Sequence, residues 1–245
     1  MRTLAVGLDG ARKGWVAAIL RGDSIDRPKG CETELRLLAR IDEVEALQET
    51  GDAAPIAIDI PIGLPPQTRL RACDVEARTR LGKLRSSVFA APGRDVLGLE
   101  TYAEVQAAVA AAKERDADAK GLSRQSWGLV PKIGEVDAWV RSDAARREAA
   151  VECHPELAFL ALNDGVALAP KRTATGALER LSLVNRFFPD ADAALRGFDE
   201  PGADLSDALD AFAALSSAVR HRCGKSEELG DGKSDRYGLP MRMVI

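Results

Sequence analysis

Pro55-Ile56-Ala57-Ile58-Asp59-Ile60-Pro61 is the stretch that decides the fold. Its isoleucines at 56, 58 and 60 share one face, and Ala57 and Asp59 share the other, so it reads as a strand whose narrow face ends in a carboxylate. The start of the chain follows the same logic, with Leu4, Val6 and Leu8 alternating with Ala5, Gly7 and Asp9. The turn Gly10-Ala11-Arg12-Lys13-Gly14 leads into a second strand, Trp15 to Leu20, and Thr33 to Arg40 reads as a third, giving an antiparallel meander. Asp42 and Glu45 resemble a capping box that opens a short helix ending near Gly51. A strand that follows a helix and pairs beside the first strand runs parallel to it. The expected class is therefore α/β, with a mixed sheet.

Residues 64–147 are rich in Ala, Arg, Lys and Glu, with loop punctuation at Ala91-Pro92-Gly93, Gly121 and Pro131, and they read as a mostly helical insertion. Beyond it, Ala149 to Cys153 reads as a core strand, Gly176 to Phe188 as a helix and Asp204 to Arg222 as a long final helix. Gly224 to Gly238 is a polar loop before the apolar end Met241 to Ile245. A chain of 245 residues, 46% hydrophobic, holds one sizeable core, so 1–245 is expected to be a single domain carrying that insertion. With 34 Lys and Arg against 38 Asp and Glu, the net charge of -4 supplies no global basic field for nucleic acid, and phosphate contacts would have to be local. No signal-length or membrane-length apolar run occurs, which points to a cytoplasmic protein with no membrane partner. Cys31, Cys73, Cys153 and Cys223 are too scattered for a structural zinc site and read as reduced thiols.

The last helix joins these pieces. Asp207, Ala211, Ala214 and Ala218 fall at helical spacing and make a narrow stripe that fits the small face of Ala5, Gly7 and Ala57. Asp9, Asp59 and Asp207 then converge at one edge, with Asp204 one turn earlier as a further ligand. Crowded carboxylates repel unless protonated or met by a cation, and Mg²⁺ or Mn²⁺ prefers such oxygen ligands. Two such ions can activate water and stabilise a leaving oxygen in phosphodiester hydrolysis. Each acid also has a local reading: Asp9 as a turn residue, Asp59 as a strand end, Asp204 as an N-cap and Asp207 as a first-turn partner of the helix dipole.

Glu152 and His154 alternate with Val151 and Cys153, so the pair either faces the acids, with His154 assisting proton transfer, or His154 orders the strand-to-helix junction before Pro155. Arg69, Arg71, Arg78, Arg80, Lys83 and Arg85 with Lys132 form either a local phosphate wall or a solvated face, since Asp74 with Arg78 and Glu76 with Arg80 have helix ion-pair spacing. Arg12, Arg85 and Lys132 are the substrate-binding candidates.

Several segments together resemble the domain-of-unknown-function family 429, described as predicted nucleases of the ribonuclease H-like fold. They include Gly7-Leu8-Asp9-Gly10, Ile58-Asp59-Ile60-Pro61-Ile62-Gly63-Leu64-Pro65, Arg85-Ser86-Ser87-Val88-Phe89, Pro131-Lys132-Ile133, Glu152-Cys153-His154-Pro155-Glu156 and Asp207-Ala208-Leu209-Asp210. The resemblance implies a ribonuclease H-like mixed sheet flanked by helices. It also implies similarity to Holliday-junction resolvases, where acids on the first strand, the fourth strand and the last helix bind metal, and Asp9, Asp59, Asp207 and Asp204 would take those places. The expected activity is a metal-dependent nuclease or phosphodiesterase acting on nucleic acid or a phosphate ester. Two alternatives stand beside it: a non-catalytic ligand-binding or regulatory protein, and an actin-like kinase or ATPase relative. The last lacks a Walker-type segment and the length for a second copy of the core. Oligomeric state is left open by the sequence.

Overall fold

The small face of the first strand organises what is built around it. In the computed structural model, residues 1–25, 30–48 and 53–245 are described. Their elements, in chain order, are β1 (Arg2–Ala11), β2 (Gly14–Gly22), β3 (Glu32–Leu38), β4 (Ile56–Ile58), α1 (Ala72–Leu81), α2 (Tyr102–Arg115), α3 (Arg124–Ser142), α4 (Ala144–Ala149), β5 (Ala150–Glu152), α5 (Pro155–Leu162), α6 (Ala174–Phe187), α7 (Ala191–Gly197) and α8 (Leu205–Arg222). The five strands form one sheet in the order β3-β2-β1-β4-β5. β1 pairs antiparallel with β2, and β2 with β3, whereas β4 runs parallel to β1 and β5 parallel to β4. The mixed α/β sheet expected from Pro55–Pro61 is the one observed.

The chain forms two compact units. The first comprises Met1–Asp59, Glu148–Glu227 and Val244–Ile245, and contains the sheet with α5 to α8. Its core places Ala5, Ala57, Val151 and Cys153 with Ala208, Leu209, Ala211, Phe212, Ala214 and Ala218 of α8. Residues 208–218 of α8 are buried without a break, so this helix is enclosed rather than amphipathic. Gly7 is where helix and sheet meet: a Cβ there would lie 2.0 Å from the Leu215 nitrogen and 2.3 Å from the Ala211 oxygen, both backbone atoms. Only a residue without a side chain permits that approach.

The second unit comprises Ile60–Arg147 and Glu228–Met243, so the greater part of the segment read as a polar loop and apolar end joins the insertion, while Val244–Ile245 belongs to the first unit. Arg71 pairs with Asp74 at 2.7 Å, both side chains 1% exposed, and donates to the carbonyls of Ile62 and Gly63. Arg94 forms a bidentate pair with Asp137 at 2.7 and 3.0 Å and also bonds Asp235. The Arg94–Asp235 bond joins the unit's two segments.

Three local expectations are corrected. Asp42 and Glu45 make no capping box: Ile41–Leu47 is a 3-10 helix whose N-cap, Arg40, has no side-chain cap bond, and Glu43 instead accepts from the Ala39 N–H at 3.0 Å. Its expected end near Gly51 lies outside the described residues. Pro131 does not break the chain but sits inside α3, where burial of Val130, Ile133, Val136 and Val140 outweighs the lost hydrogen bond. Glu228–Leu229 is a strand within the segment read as loop. Among the described residues no helix is long and apolar enough to cross a membrane.

The contact at Gly7 is directly testable. Gly7→Ala is expected to lower stability by about 2–3 kcal/mol in urea titration, because α8 must retreat from β1. Gly128→Ala in α3, where an added Cβ meets nothing within 4 Å, is expected to raise it by about 0.5–1 kcal/mol. Equal and small effects at both positions would count against helix–sheet contact as the determinant.

Candidate active site

Parallel register brings two carboxylates side by side. Gly7 opposes Ala57 and Leu8 opposes Ile58, and the Asp59 N–H donates to the Leu8 carbonyl at 3.0 Å, so Asp9 and Asp59 leave neighbouring strands together. α8 adds a third acid through Asp210, which directly precedes the Ala211 seated over Gly7 and is 5% exposed, against 8% for Asp9.

The opposing charge comes from Lys171, whose ammonium lies 2.9 Å from Asp210 Oδ2. Its position is built from behind. Arg180 of α6 forms hydrogen bonds at 2.7 Å to both carboxylate oxygens of Glu156 on α5, and its other terminal nitrogen holds the carbonyls of Ala169 and Gly176 at 2.9 Å. Gly176, in the first turn of α6, lets the Pro170 backbone close in, since a Cβ there would lie 2.2 Å from the Pro170 oxygen. The chain leaving Ala169 and Pro170 is thereby aimed, and Lys171 follows.

Burial pushes the Asp9 carboxyl well above the usual carboxylate range, and Asp210, Asp59 and Asp207 push it further, while Lys171 acts in the opposite sense. Asp59 is also raised, first by removal from water, against the lowering effects of His154, Lys171 and a hydrogen bond from Asp9. Both shifts favour the protonated carboxyl at this neighbouring pair, Asp9 the more strongly. Burial raises Asp210 to about 6 despite Lys171. Desolvation works against the Lys171 ammonium, yet Asp210, followed by Asp9 and Asp59, holds it above its ordinary value. Cys153 lies in the same environment, its thiol raised well above normal by burial and by Asp59, Glu152, Asp9 and Asp210.

The other acids expected here are placed differently. Asp204 and Asp207 cap α8 reciprocally: Asp204 Oδ1 accepts from the N–H groups of Ser206 and Asp207 at 2.8 and 3.1 Å, and Asp207 accepts from the Asp204 N–H at 3.0 Å. Asp207 reaches the cluster through its field on Asp9, while Asp210 is the α8 carboxylate paired with Lys171. Glu152 does not share a face with the acids. It is buried on β5, but Val151 and Cys153 are the residues packed with Ala57 and α8. His154 is the α5 N-cap residue, makes no side-chain cap bond, and acts electrostatically on Asp59. Arg12 is exposed in the β1–β2 turn, three positions beyond Asp9. Arg85 is exposed and Lys132 half-buried on α3, both in the second unit.

Oxygen-only donors at Asp9, Asp59 and Asp210 have the chemistry that suits a hard divalent cation. In this arrangement, however, Lys171 offsets part of the charge, and among the described residues no three His, Cys, Asp or Glu groups are gathered as a finished metal site. Two participants escaped the sequence reading. Asp210 lies on the same helical face as Ala214 and was available from that spacing. For Lys171, the only signal was a glycine at 176 in the first turn of a helix, where no cap requires one.

A family model described as "Protein of unknown function (DUF429)" matches residues 7–234. No match is found among curated proteins or among solved structures.

Because Asp210 holds its proton to about pH 6 in the fold, against an ordinary value of 3.8, its contribution to stability is fully present below about pH 4 and is lost as the pH rises through 6. The predicted loss is about 3 kcal/mol at most. Urea denaturation of wild type and Asp210→Asn between pH 4 and 7 should show that slope in the wild type and a flatter one in the variant. Parallel pH profiles would exclude a raised Asp210.

Proposed function

Since this chain belongs to the DUF429 family, whose description assigns no activity, we propose from the site itself that it is a metal-dependent phosphodiesterase in which Asp9, Asp59 and Asp210 hold the metal. The observation that carries this reading is a set of three buried carboxylates, from β1, the end of β4 and α8, near enough to act on one another's charge and in greater number than Lys171 can neutralise. The sheet order β3-β2-β1-β4-β5, with acids at the ends of the two central parallel strands, agrees with the ribonuclease H-like arrangement that the sequence resembles.

The chain's own groups supply most of the chemistry. Asp9, Asp59 and Asp210 would hold a divalent cation through their carboxylate oxygens, in competition with Lys171 for Asp210. Such a cation, when bound, lowers the pKa of a coordinated water and stabilises charge on phosphate oxygens. Buried surroundings strengthen each of these charge interactions. Arg12, exposed beyond Asp9, would be a phosphate contact. Lys171 holds an ammonium beside the same acids.

A second reading is favoured by one observation, the Lys171–Asp210 pair at 2.9 Å, which already offsets charge within the cluster without metal. It makes the protein a non-catalytic ligand-binding or regulatory one.

Calorimetric titration with Mn²⁺ and Mg²⁺, paired with cleavage assays on branched, duplex and single-stranded nucleic acid and a small phosphodiester, separates the two. Wild type should bind and cleave, and Asp59→Asn and Asp210→Asn should each lose binding about tenfold or more. Asp207→Asn should instead cost about 1 kcal/mol of stability through the lost cap and leave metal binding largely intact. A wild type that binds no metal would leave only the second reading.

A further inference from the structure

Charge divides unevenly between the two units. Within their boundaries the second carries 18 Lys and Arg against 14 Asp and Glu, and the first 16 against 24, so a net +4 stands against a net -8. The acidic balance of the whole chain thus conceals a basic unit, and a field that attracts polyanions reappears at that scale.

Within the second unit, cations gather around Tyr237. Three guanidinium groups approach its ring, with Arg141 at 3.6 Å, Arg94 at 4.4 Å and Arg236 at 4.9 Å from the centroid. Two carboxylates stand against them, Asp137 and Asp235, with side chains 6% and 0% exposed, and the buried Arg94 binds both. Arg141 adds one bond to Asp137 at 3.1 Å and keeps 36% of its side chain exposed. Arg236 is exposed, donates to the Tyr237 hydroxyl at 3.1 Å, and pairs with no carboxylate among the described residues. The buried acids are thus taken up chiefly by the buried cation, and the charge left unbalanced is the charge at the surface.

The loop that presents Arg236 is held in place. Asp235 Oδ1 accepts from the N–H groups of Tyr237 and Leu239 at 2.8 and 3.0 Å, and Asp235 Oδ2 accepts from the Leu64 N–H at 3.1 Å. Contact with a ring face occupies none of the in-plane N–H donors of a guanidinium, so Arg141 and Arg236 still offer planar forks that fit phosphate oxygens. The ring, already in contact with three guanidinium groups, leaves little surface on which a base could stack. Such a surface suits phosphates rather than bases.

We propose that the surface formed by Arg141, Arg236 and Tyr237 binds the phosphate backbone of nucleic acid without reading its bases. Successive phosphates along a strand suit a basic unit better than one free anion does, because every phosphate neutralised releases counterions. Lys83 and Arg85, both exposed, add to the field of the same unit. That the nucleic acid is a substrate rests on the phosphodiesterase reading, which it narrows from a small phosphate ester to a polynucleotide. Binding itself does not depend on the acid cluster.

The test is fluorescence anisotropy of a labelled duplex DNA titrated with the full chain in metal-free buffer at about 50 mM salt, repeated as the salt is raised. Wild type should bind two duplexes of unrelated sequence alike, with an affinity that falls steeply with salt. Arg236→Gln and Arg141→Gln should each weaken binding about threefold or more and reduce the log–log salt slope by about 1, the loss of one phosphate contact. Thermal melts check that both fold, and Arg94 still holds Asp137 when Arg141 is replaced. Arg196→Gln removes an exposed arginine from the first unit, where it pairs with Asp192, and should bind like wild type. The proposal is overturned if wild type does not bind, or if Arg236→Gln and Arg141→Gln both keep the wild-type affinity and slope. It is also overturned if Arg196→Gln weakens binding as much as they do, or if polyglutamate displaces the labelled duplex as well as unlabelled duplex does. Because no metal is present, failure here is distinct from failure of the Mn²⁺ titration that tests the acid cluster.

Discussion

Everything in the first unit depends on how closely α8 lies on β1. At Gly7 the helix backbone is near enough that even a methyl group would collide with Ala211 and Leu215. Alanines at 5, 57, 211, 214 and 218 extend that contact along helix and sheet. Packing so tight brings not only apolar surface together but also whatever stands at the end of each small row. There it is Asp9, Asp59 and Asp210, held at a separation that like charges would not choose. Apolar burial along the rows outweighs the electrostatic cost at their ends.

That cost is reduced by a chain of charges rather than by one ion pair. Glu156 holds Arg180, Arg180 holds the Ala169 carbonyl, and the chain leaving that carbonyl delivers Lys171 to Asp210. Burial raises the Asp9 and Asp59 carboxyls together, so both lean toward their uncharged form. The Lys171 side chain is half-exposed, whereas both partners of the Arg71–Asp74 pair are sealed from solvent and also meet backbone groups.

The arginine-rich start of the insertion illustrates the difference between charge and available charge. Arg69 is bonded to Asp116, Arg71 to Asp74, Arg80 to Glu76, and Arg78 donates to the Val88 carbonyl. Most of the residues that read as a phosphate wall are thus occupied within the second unit. The spacing of Glu76 and Arg80 predicted its pair, whereas Asp74 chose Arg71 over Arg78 because Arg71 at the N-cap can also reach the carbonyls of Ile62 and Gly63.

The sequence by itself determined the mixed sheet, the parallel alignment of β4 with β1, the small face on which α8 sits and two of the three clustered acids. All of these follow from alternation at period two and helical spacing, which are local properties of a strand or a helix. Only the tertiary structure decided which aspartate of α8 joins the cluster, because Asp207 and Asp210 both lie near the stripe and the choice turns on which one the helix end captures as a cap. It also decided that Cys153 rather than Glu152 faces α8, since the parity of β5 is set by its pairing with β4 and not by its own residues. Lys171 was beyond reach of any local pattern. Its place depends on Arg180, Glu156 and Gly176, residues spread across three segments whose meeting is a property of the packed molecule.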